Sequence, residues 1–238
     1  MVPIFKRSLK DVRVAERKLP LPSEAIDPDI DIQMSLGDVG QLLRPTFESF
    51  KKPGNKPALK AAIQTTKKLA RKYRRSTPNP FLIGLAWNSG VPELGALKSL
   101  DLVAAQKLIA NTDGTFVSLQ YAPKPEHLAA LSESGGENWI HDQSIDPLID
   151  MDLATAQVAA MNYVVTISNT TAHIAGALGI PTALLVPRHT ARLWYWFRDQ
   201  TPCPWYPSVQ VYESDKDGKW DEALADISKH IQILANAA

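Results

Sequence analysis

From residue 81 to residue 186, short apolar runs of strand length alternate with segments of helical period, and few architectures accept that pattern. The runs lie at 81–87 (FLIGLAW), 115–120 (TFVSLQ), 163–168 (YVVTIS) and Thr182–Val186. Between and after them, 101–110, 125–134, 152–161, Thr170–Leu178 and 221–234 read as helices. In the last of these Leu224, Ile227, Ile231 and Leu234 share one face. Strands buried on both faces read as continuous apolar runs, and strand–helix alternation with short loops builds a parallel sheet. The expected fold is therefore α/β, a Rossmann-like parallel sheet with helices on both faces. Such sheets bind ligands at the carboxyl ends of their strands, which directs attention to 88–98, 120–126 and 168–173.

The first 77 residues read differently. Prolines break them into short segments, and the cluster Ser76-Thr77-Pro78-Asn79-Pro80 is a strong breaker, because each residue before a proline is pushed away from helix. The expected division is 1–77, a partial N-terminal segment, and 78–238, the sheet domain. Ten Lys/Arg and no acid fall between Lys51 and Arg75, so the rest of the chain carries nine more acids than bases. The spacing of Leu59, Ala62, Ile63, Thr66, Leu69, Ala70 and Tyr73 predicts a helix with the charges on its outer face, and Pro57 suits its first turn. A basic stretch binds nucleic acid or anionic lipid in some proteins. Here a solvated helix face explains it, and the lack of interleaved aromatics apart from Tyr73 argues against single-stranded nucleic acid.

Apolar residues at 45% and charged residues at 21% exclude disorder for most of the chain. No apolar run approaches the roughly 20 residues needed to cross a bilayer. Nor does the N-terminus have the apolar core of a signal peptide, so a cytoplasmic location is expected. A single cysteine, Cys203, rules out an internal disulfide.

The most informative segment runs from Thr166 to Gly179 (TISNTTAHIAGALG). A strand ends in four small polar residues, Ser168, Asn169, Thr170 and Thr171, and a helix opens directly on them. The first amides of a helix lack internal partners and carry partial positive charge, so the turn suits a phosphate or diphosphate. His173 sits in the first helical turn. The plain alternative is an N-cap by Ser or Asn with a packed histidine.

Further residues form an ordered set with this turn: Gly84-Leu-Ala-Trp-Asn-Ser-Gly90, Lys98-Ser99-Leu100, Phe116-Val-Ser-Leu-Gln-Tyr121 and Pro204-Trp-Tyr-Pro-Ser208. In that order and spacing they resemble the C-terminal half of bacterial GT-B glycosyltransferases of the family 9, heptosyltransferase-like group, often fused to tetratricopeptide repeats. A more distant likeness is to O-linked N-acetylglucosamine transferases. The resemblance covers residues 79–234. It implies a GT-B C-terminal domain that binds a nucleotide sugar as substrate, with no cofactor and no metal. It implies that Asn88, Ser89 and Gln120 lie at the donor site, that Lys98 binds diphosphate and that Glu126 binds a ribose. Ser168 stands where that group has an aspartate touching the donor sugar, and Asn169 replaces the threonine after it; a hydroxyl cannot supply the missing charge. The stretches Pro3-Ile-Phe-Lys-Arg-Ser and Asp31-Ile-Gln-Met-Ser-Leu-Gly-Asp38 sit where the last strands and loops of the N-terminal GT-B domain would be. That implies a truncated or partner-dependent transferase, expected as a homodimer or a complex, with its acceptor and catalytic residues unidentified.

Rival features carry less. Asp29-Ile-Asp31 and Asp150-Met-Asp152 have the spacing of a manganese site but not its setting, and Asp152 reads as a helix cap. Asp215-Lys-Asp-Gly218 lacks the glutamate of a calcium loop. The five histidines show no ligand spacing. The aromatic stretch 192–206 with Arg188, Arg192 and Arg198 suits either a stacked base or sugar, or a lid packed on the sheet. The alternative functional classes are a non-catalytic interaction module and a dinucleotide-dependent oxidoreductase. Against the latter stands the absence of Gly-x-Gly-x-x-Gly after a strand.

Overall fold

The computed structural model describes residues 1–20, 22–51, 57–198, 200 and 202–237. Six strands form one sheet: β1 (Leu82–Ala86), β2 (Thr115–Ser118), β3 (Trp139–Ile140), β4 (Tyr163–Ile167), β5 (Thr182–Val186) and β6 (Val209–Glu213). Their order is β3-β2-β1-β4-β5-β6, and every pair is parallel. The helices are α1 (Val2–Ser8), α2 (Leu36–Leu43), α3 (Ile63–Arg75), α4 (Leu94–Lys98), α5 (Leu102–Ala110), α6 (Pro125–Gly135), α7 (Met151–Ala159), α8 (Thr170–Leu178) and α9 (Asp221–Asn236).

Side chains alternate across a strand, and this alternation sorts the core into two layers. Ile83, Leu85, Phe116, Tyr163 and Val165 face α5, α6 and α9, meeting Leu108, Leu131, Leu224 and Ile227. Leu82, Ala86, Val117 and Val164 face the other side and meet Leu69 and Tyr73 of α3, Ala156 and Val158 of α7, and Ile174 and Ala175 of α8. The strand and helix runs expected after residue 81 are all present, with shifts of one or two residues at their ends. The two strands that the sequence reading lacks are the edges. Two-residue β3 is too short to show a period, and β6 (VQVYE) is only half-buried.

The basic segment departs from expectation at its start. Residues 57–62 are not helical, and Pro57 and Leu59 lie outside α3. The Leu59 N–H instead donates to the Ala177 carbonyl in the last turn of α8 (2.9 Å), one of the acceptors a helix end leaves open. Ile63, expected on the buried face, is exposed. Across the breaker cluster at 76–80, α3 still packs into the core beside α7. Among the described residues of 1–77 there is no strand: the stretch beginning Pro3-Ile-Phe is helix α1, whose Ile4 is buried and whose Arg7 pairs with Asp152. The cap of α7 is Asp150, which accepts from the amides of Asp152 and Leu153 (both 3.0 Å), so Asp152 is a first-turn residue and not the cap. Among the described residues no helix is long and apolar enough to cross a membrane.

Candidate functional site

β1 and β4 are neighbours in space but not in sequence, and from them the chain winds outward in opposite directions. Ligands of open parallel sheets sit in the crevice this creates at the carboxyl ends. Three non-glycine residues among those described have φ above zero, and all three lie in loops leaving carboxyl ends: Glu93 (63°) after β1, Ala122 (41°) after β2 and Ala191 (62°) after β5. Such conformations cost on the order of 1 kcal/mol or more each and cluster at functional sites.

The loop after β1 is held by a dense polar network. Gln120 Oε1 accepts from the amides of Trp87 (3.0 Å) and Asn88 (2.8 Å), and its Nε2 donates to the carbonyls of Asn88 and Tyr121 (both 3.0 Å). All four of its hydrogen-bonding positions are thus spent on backbone, and Gln120 shapes the crevice. Ser99 Oγ accepts from the Ser89 amide (3.0 Å) and lies 3.1 Å from Asn88 Oδ1. Gly95 packs so closely under the Ser89 carbonyl that a Cβ would collide with it. The Leu100 amide donates to the Trp87 carbonyl (2.9 Å), pinning the end of α4 against the end of β1. Lys98, the last residue of α4, is only 8% exposed and has no hydrogen bond or ion pair with a described residue. Glu126 is exposed in the first turn of α6. Next to it, His127 Nδ1 accepts from Trp87 Nε1 (3.2 Å).

At the end of β4, Asn169 is the N-cap of α8: its Oδ1 accepts from the Ala172 amide (3.3 Å) and from Thr166 Oγ1 (3.1 Å), while its Nδ2 is buried with no hydrogen-bond partner among the described residues. At 100° per residue, Thr170, Thr171 and Ile174 share one side of α8, and His173 and Gly176 share the other. The first side lines a cavity of about 140 Å³, reached also by Ser118, Gln120, Tyr121, His141 and Gln157. It is smaller than a whole-ligand pocket and has room for one ring system. Its walls are mostly apolar, and two buried polar atoms there, Ser118 Oγ and His141 Nδ1, lack a hydrogen-bond partner among the described residues. Burial lowers the His141 pKa, partly opposed by Asp142. On the cavity wall, Asp142 takes Lys72 Nζ (2.7 Å), the Tyr73 hydroxyl (2.9 Å) and Ser144 Oγ (2.7 Å), and Gln157 donates to Tyr73 (3.1 Å). Burial pushes the Asp142 carboxyl up, but these partners outweigh it and hold the group at about 2.

The second side of α8 is closed by the aromatic strap after β5. Ser168, 1% exposed, accepts from Trp196 Nε1 (2.8 Å). His173 stacks on Trp196 (4.8 Å between centroids, 21° between planes), and its Nδ1 meets the Tyr206 hydroxyl at 3.1 Å. Burial lowers the His173 pKa, so the ring is neutral at pH 7.

Of the residues expected from sequence, Gln120, Thr170 and Thr171 come together on the cavity. Asn88 and Ser89 belong to the β1 loop network, and Ser168 and His173 to the strap. The cavity residues Ser118, His141 and Gln157 escaped the sequence reading, because β3, which delivers His141, has no periodic signal. Among the described residues no three His, Cys, Asp or Glu side chains converge as metal ligands.

No protein-family model matches the chain. Over 247 aligned positions it is 28% identical to Protein FlbA of Caulobacter vibrioides, covering 99% of this chain and 40% of that protein. In structure it is similar to the ADP-heptose lps heptosyltransferase II of E. coli (19% identity, TM-score 0.50, 75% of this chain and 52% of that one). It is equally similar to the glycosyl transferase family 9 protein of Veillonella parvula (14% identity, TM-score 0.50, 76% and 54%). The chain therefore has the Rossmann-like fold found in about half of each of these GT-B-type proteins, and it spans 40% of the length of its FlbA relative.

Proposed function

We propose that this chain is the nucleotide-holding part of a glycosyltransferase-like protein, binding the diphosphate of a nucleotide sugar at the opening of α8 without a metal. Lys98 carries the reading. Its stem is packed, with the residue 8% exposed, its ammonium has no ion pair with a described residue, and it ends the helix pinned to the end of β1, beside the strand whose end opens α8. A diphosphate between them would be neutralised by one cation and the free amides of a helix N-terminus. The nucleoside then extends into the cavity along Thr170 and Thr171, where Ser118 Oγ and His141 Nδ1 offer unused polar positions to a base edge. Glu126, exposed on the neighbouring rim, is the group offered to the ribose. The likeness to a heptosyltransferase and a family 9 transferase supports this class of ligand.

Transfer by this chain alone is slow in this reading. Ser168 supplies no charge to a donor sugar, and no second sheet among the described residues faces the crevice, so the acceptor side comes from association with polypeptide outside the described residues. Exposed apolar side chains around the carboxyl rim, including Val91, Leu94, Leu97 and Ile149, suit such an association.

The test is a thermal-shift screen of ADP, GDP and UDP in EDTA. A ligand at 100 times its Kd adds about 2.7 kcal/mol, which raises the Tm of a domain this size by roughly 5–10 °C. No shift with any of the three contradicts the reading, as does a shift that requires magnesium or manganese.

A further inference from the structure

The strap takes up one end of the proposed site. If a nucleoside fills the cavity along Thr170 and Thr171 and its diphosphate lies on the α8 opening, a sugar on the terminal phosphate must extend to the opposite side of the turn. That side holds Ser168 and His173. Both are already engaged by the chain itself, Ser168 by the Trp196 indole N–H, His173 by the face of Trp196 and the Tyr206 hydroxyl. Trp196 is 1% exposed, so its indole is packed there and does not merely border the space.

The contact is fastened from behind. Arg192 donates from Nε to the Trp196 carbonyl (2.7 Å) and from Nη2 to the Phe197 carbonyl (2.6 Å), and its Nη1 pairs with Glu213 at the end of β6. Its side chain is 6% exposed. One planar guanidinium thus fixes the strap backbone by two bonds and ties it to the sheet by a third, an arrangement lysine cannot copy. The strap leaves β5 through Ala191, held at φ 62°. Glycine would take that conformation without cost, whereas alanine resists it.

We infer that Trp196 is a specificity-determining residue of the proposed site: with the strap fastened its indole fills the sugar end, so the chain takes a nucleoside diphosphate in preference to the corresponding nucleotide sugar. This rests on the reading of the α8 opening as a diphosphate site. Admitting the sugar requires breaking the Trp196–Ser168 bond and unstacking His173, and that cost falls on the sugar-bearing ligand alone, which is what discrimination requires.

Titration calorimetry in EDTA with ADP, GDP and UDP, each paired with ADP-glucose, GDP-mannose and UDP-glucose, tests it. The wild type is expected to bind its preferred diphosphate at least about tenfold more tightly than the matched sugar. Trp196→Ala is expected to shrink that ratio to within about threefold by strengthening the sugar complex, leaving the diphosphate affinity unchanged. Arg192→Lys keeps the charge and loses the two-carbonyl clasp; it is expected to shrink the ratio in the same direction and covers the case in which Trp196→Ala does not fold. A wild type that binds the sugar as tightly as the diphosphate, or folded variants that keep the ratio, overturn the role of Trp196 while leaving the diphosphate site standing. Binding of neither ligand by wild type or variant overturns the site itself, and the inference with it.

Discussion

Gln120→Glu separates a residue that shapes the crevice from one that waits for a ligand. The native amide uses its oxygen to accept from two backbone N–H groups and its nitrogen to donate to two carbonyls, at 2.8–3.0 Å throughout. The carboxylate has the same shape and keeps the two bonds to N–H. Its second oxygen, however, is set against the carbonyls of Asn88 and Tyr121, neither of which donates. Two bonds at about 0.5–1.5 kcal/mol each are lost, and a buried charge is opposed by two acceptors, so the cost at neutral pH is about 3–5 kcal/mol. This is a large share of the 5–15 kcal/mol typical of a domain. Protonation turns the second oxygen into a donor toward one carbonyl. The new carboxyl is therefore expected to titrate above its unfolded value in the folded state. A group of that kind binds more protons folded than unfolded, so the deficit shrinks as pH falls through the folded value and is fullest above it. Urea unfolding followed by circular dichroism at pH 7.5 and pH 4.5 reads this out as a midpoint shift at constant slope. Equal midpoints for Gln120→Glu and wild type at pH 7.5, or a deficit that grows on acidification, refute the hydrogen-bond assignment.

Lys98→Met keeps the packed stem and removes the charge; nucleoside diphosphate affinity is expected to fall about 10- to 100-fold with the fold intact, and unchanged affinity in calorimetry removes Lys98 from the site. Asp142 titrates at about 2 in the folded chain against about 3.9 unfolded, so its contribution, on the order of 2 kcal/mol, is complete above pH 4 and lost as pH falls toward 2. Asp142→Asn is expected to flatten the stability curve in that window, and an unchanged acid limb counts against the Lys72–Asp142–Tyr73 network. In Gly176→Ala the new Cβ meets Tyr206 Cγ at 2.5 Å and Cβ at 2.8 Å, the part of that side chain nearest the backbone, which has no room to swing away. Overpacking at about 1–3 kcal/mol outweighs a helix-propensity gain of about 1 kcal/mol, so a net loss in midpoint is expected where an exposed helical glycine would give a gain.

The sheet was legible because buried parallel strands are written as apolar runs, and β1, β2, β4 and β5 announce themselves that way. The edges were not. Two-residue β3 carries no periodicity, and the half-buried VQVYE of β6 follows a proline-rich loop. At the site the turn chemistry was legible, since Asn169 caps α8 and Gly179 closes it at φ 73°, a conformation that favours glycine. Side-chain partnership was not. Sequence places Ser168 and His173 at a strand end but does not show that Trp196, 28 and 23 positions later, bonds the one and stacks on the other. Likewise Lys72 and Tyr73 read as a charged face and a core position, and only the fold brings both onto Asp142, 70 and 69 residues away. The misplaced start of α3 has the same origin: the amide of Leu59 finds its acceptor on α8, a long-range choice that local periodicity cannot encode.

The central claim is that a nucleoside diphosphate sits between Lys98 and the opening of α8, with its nucleoside in the cavity behind Thr170. Amide chemical-shift mapping with ADP, GDP and UDP in EDTA tests it most directly, because the helix N–H groups are themselves the proposed ligands. At least one of the three is expected to move the amides of Thr170 and Thr171 most strongly, together with Ser118 and His141, with saturation. Saturable shifts confined to the surface between α5 and α9, or none anywhere at millimolar ligand, contradict it.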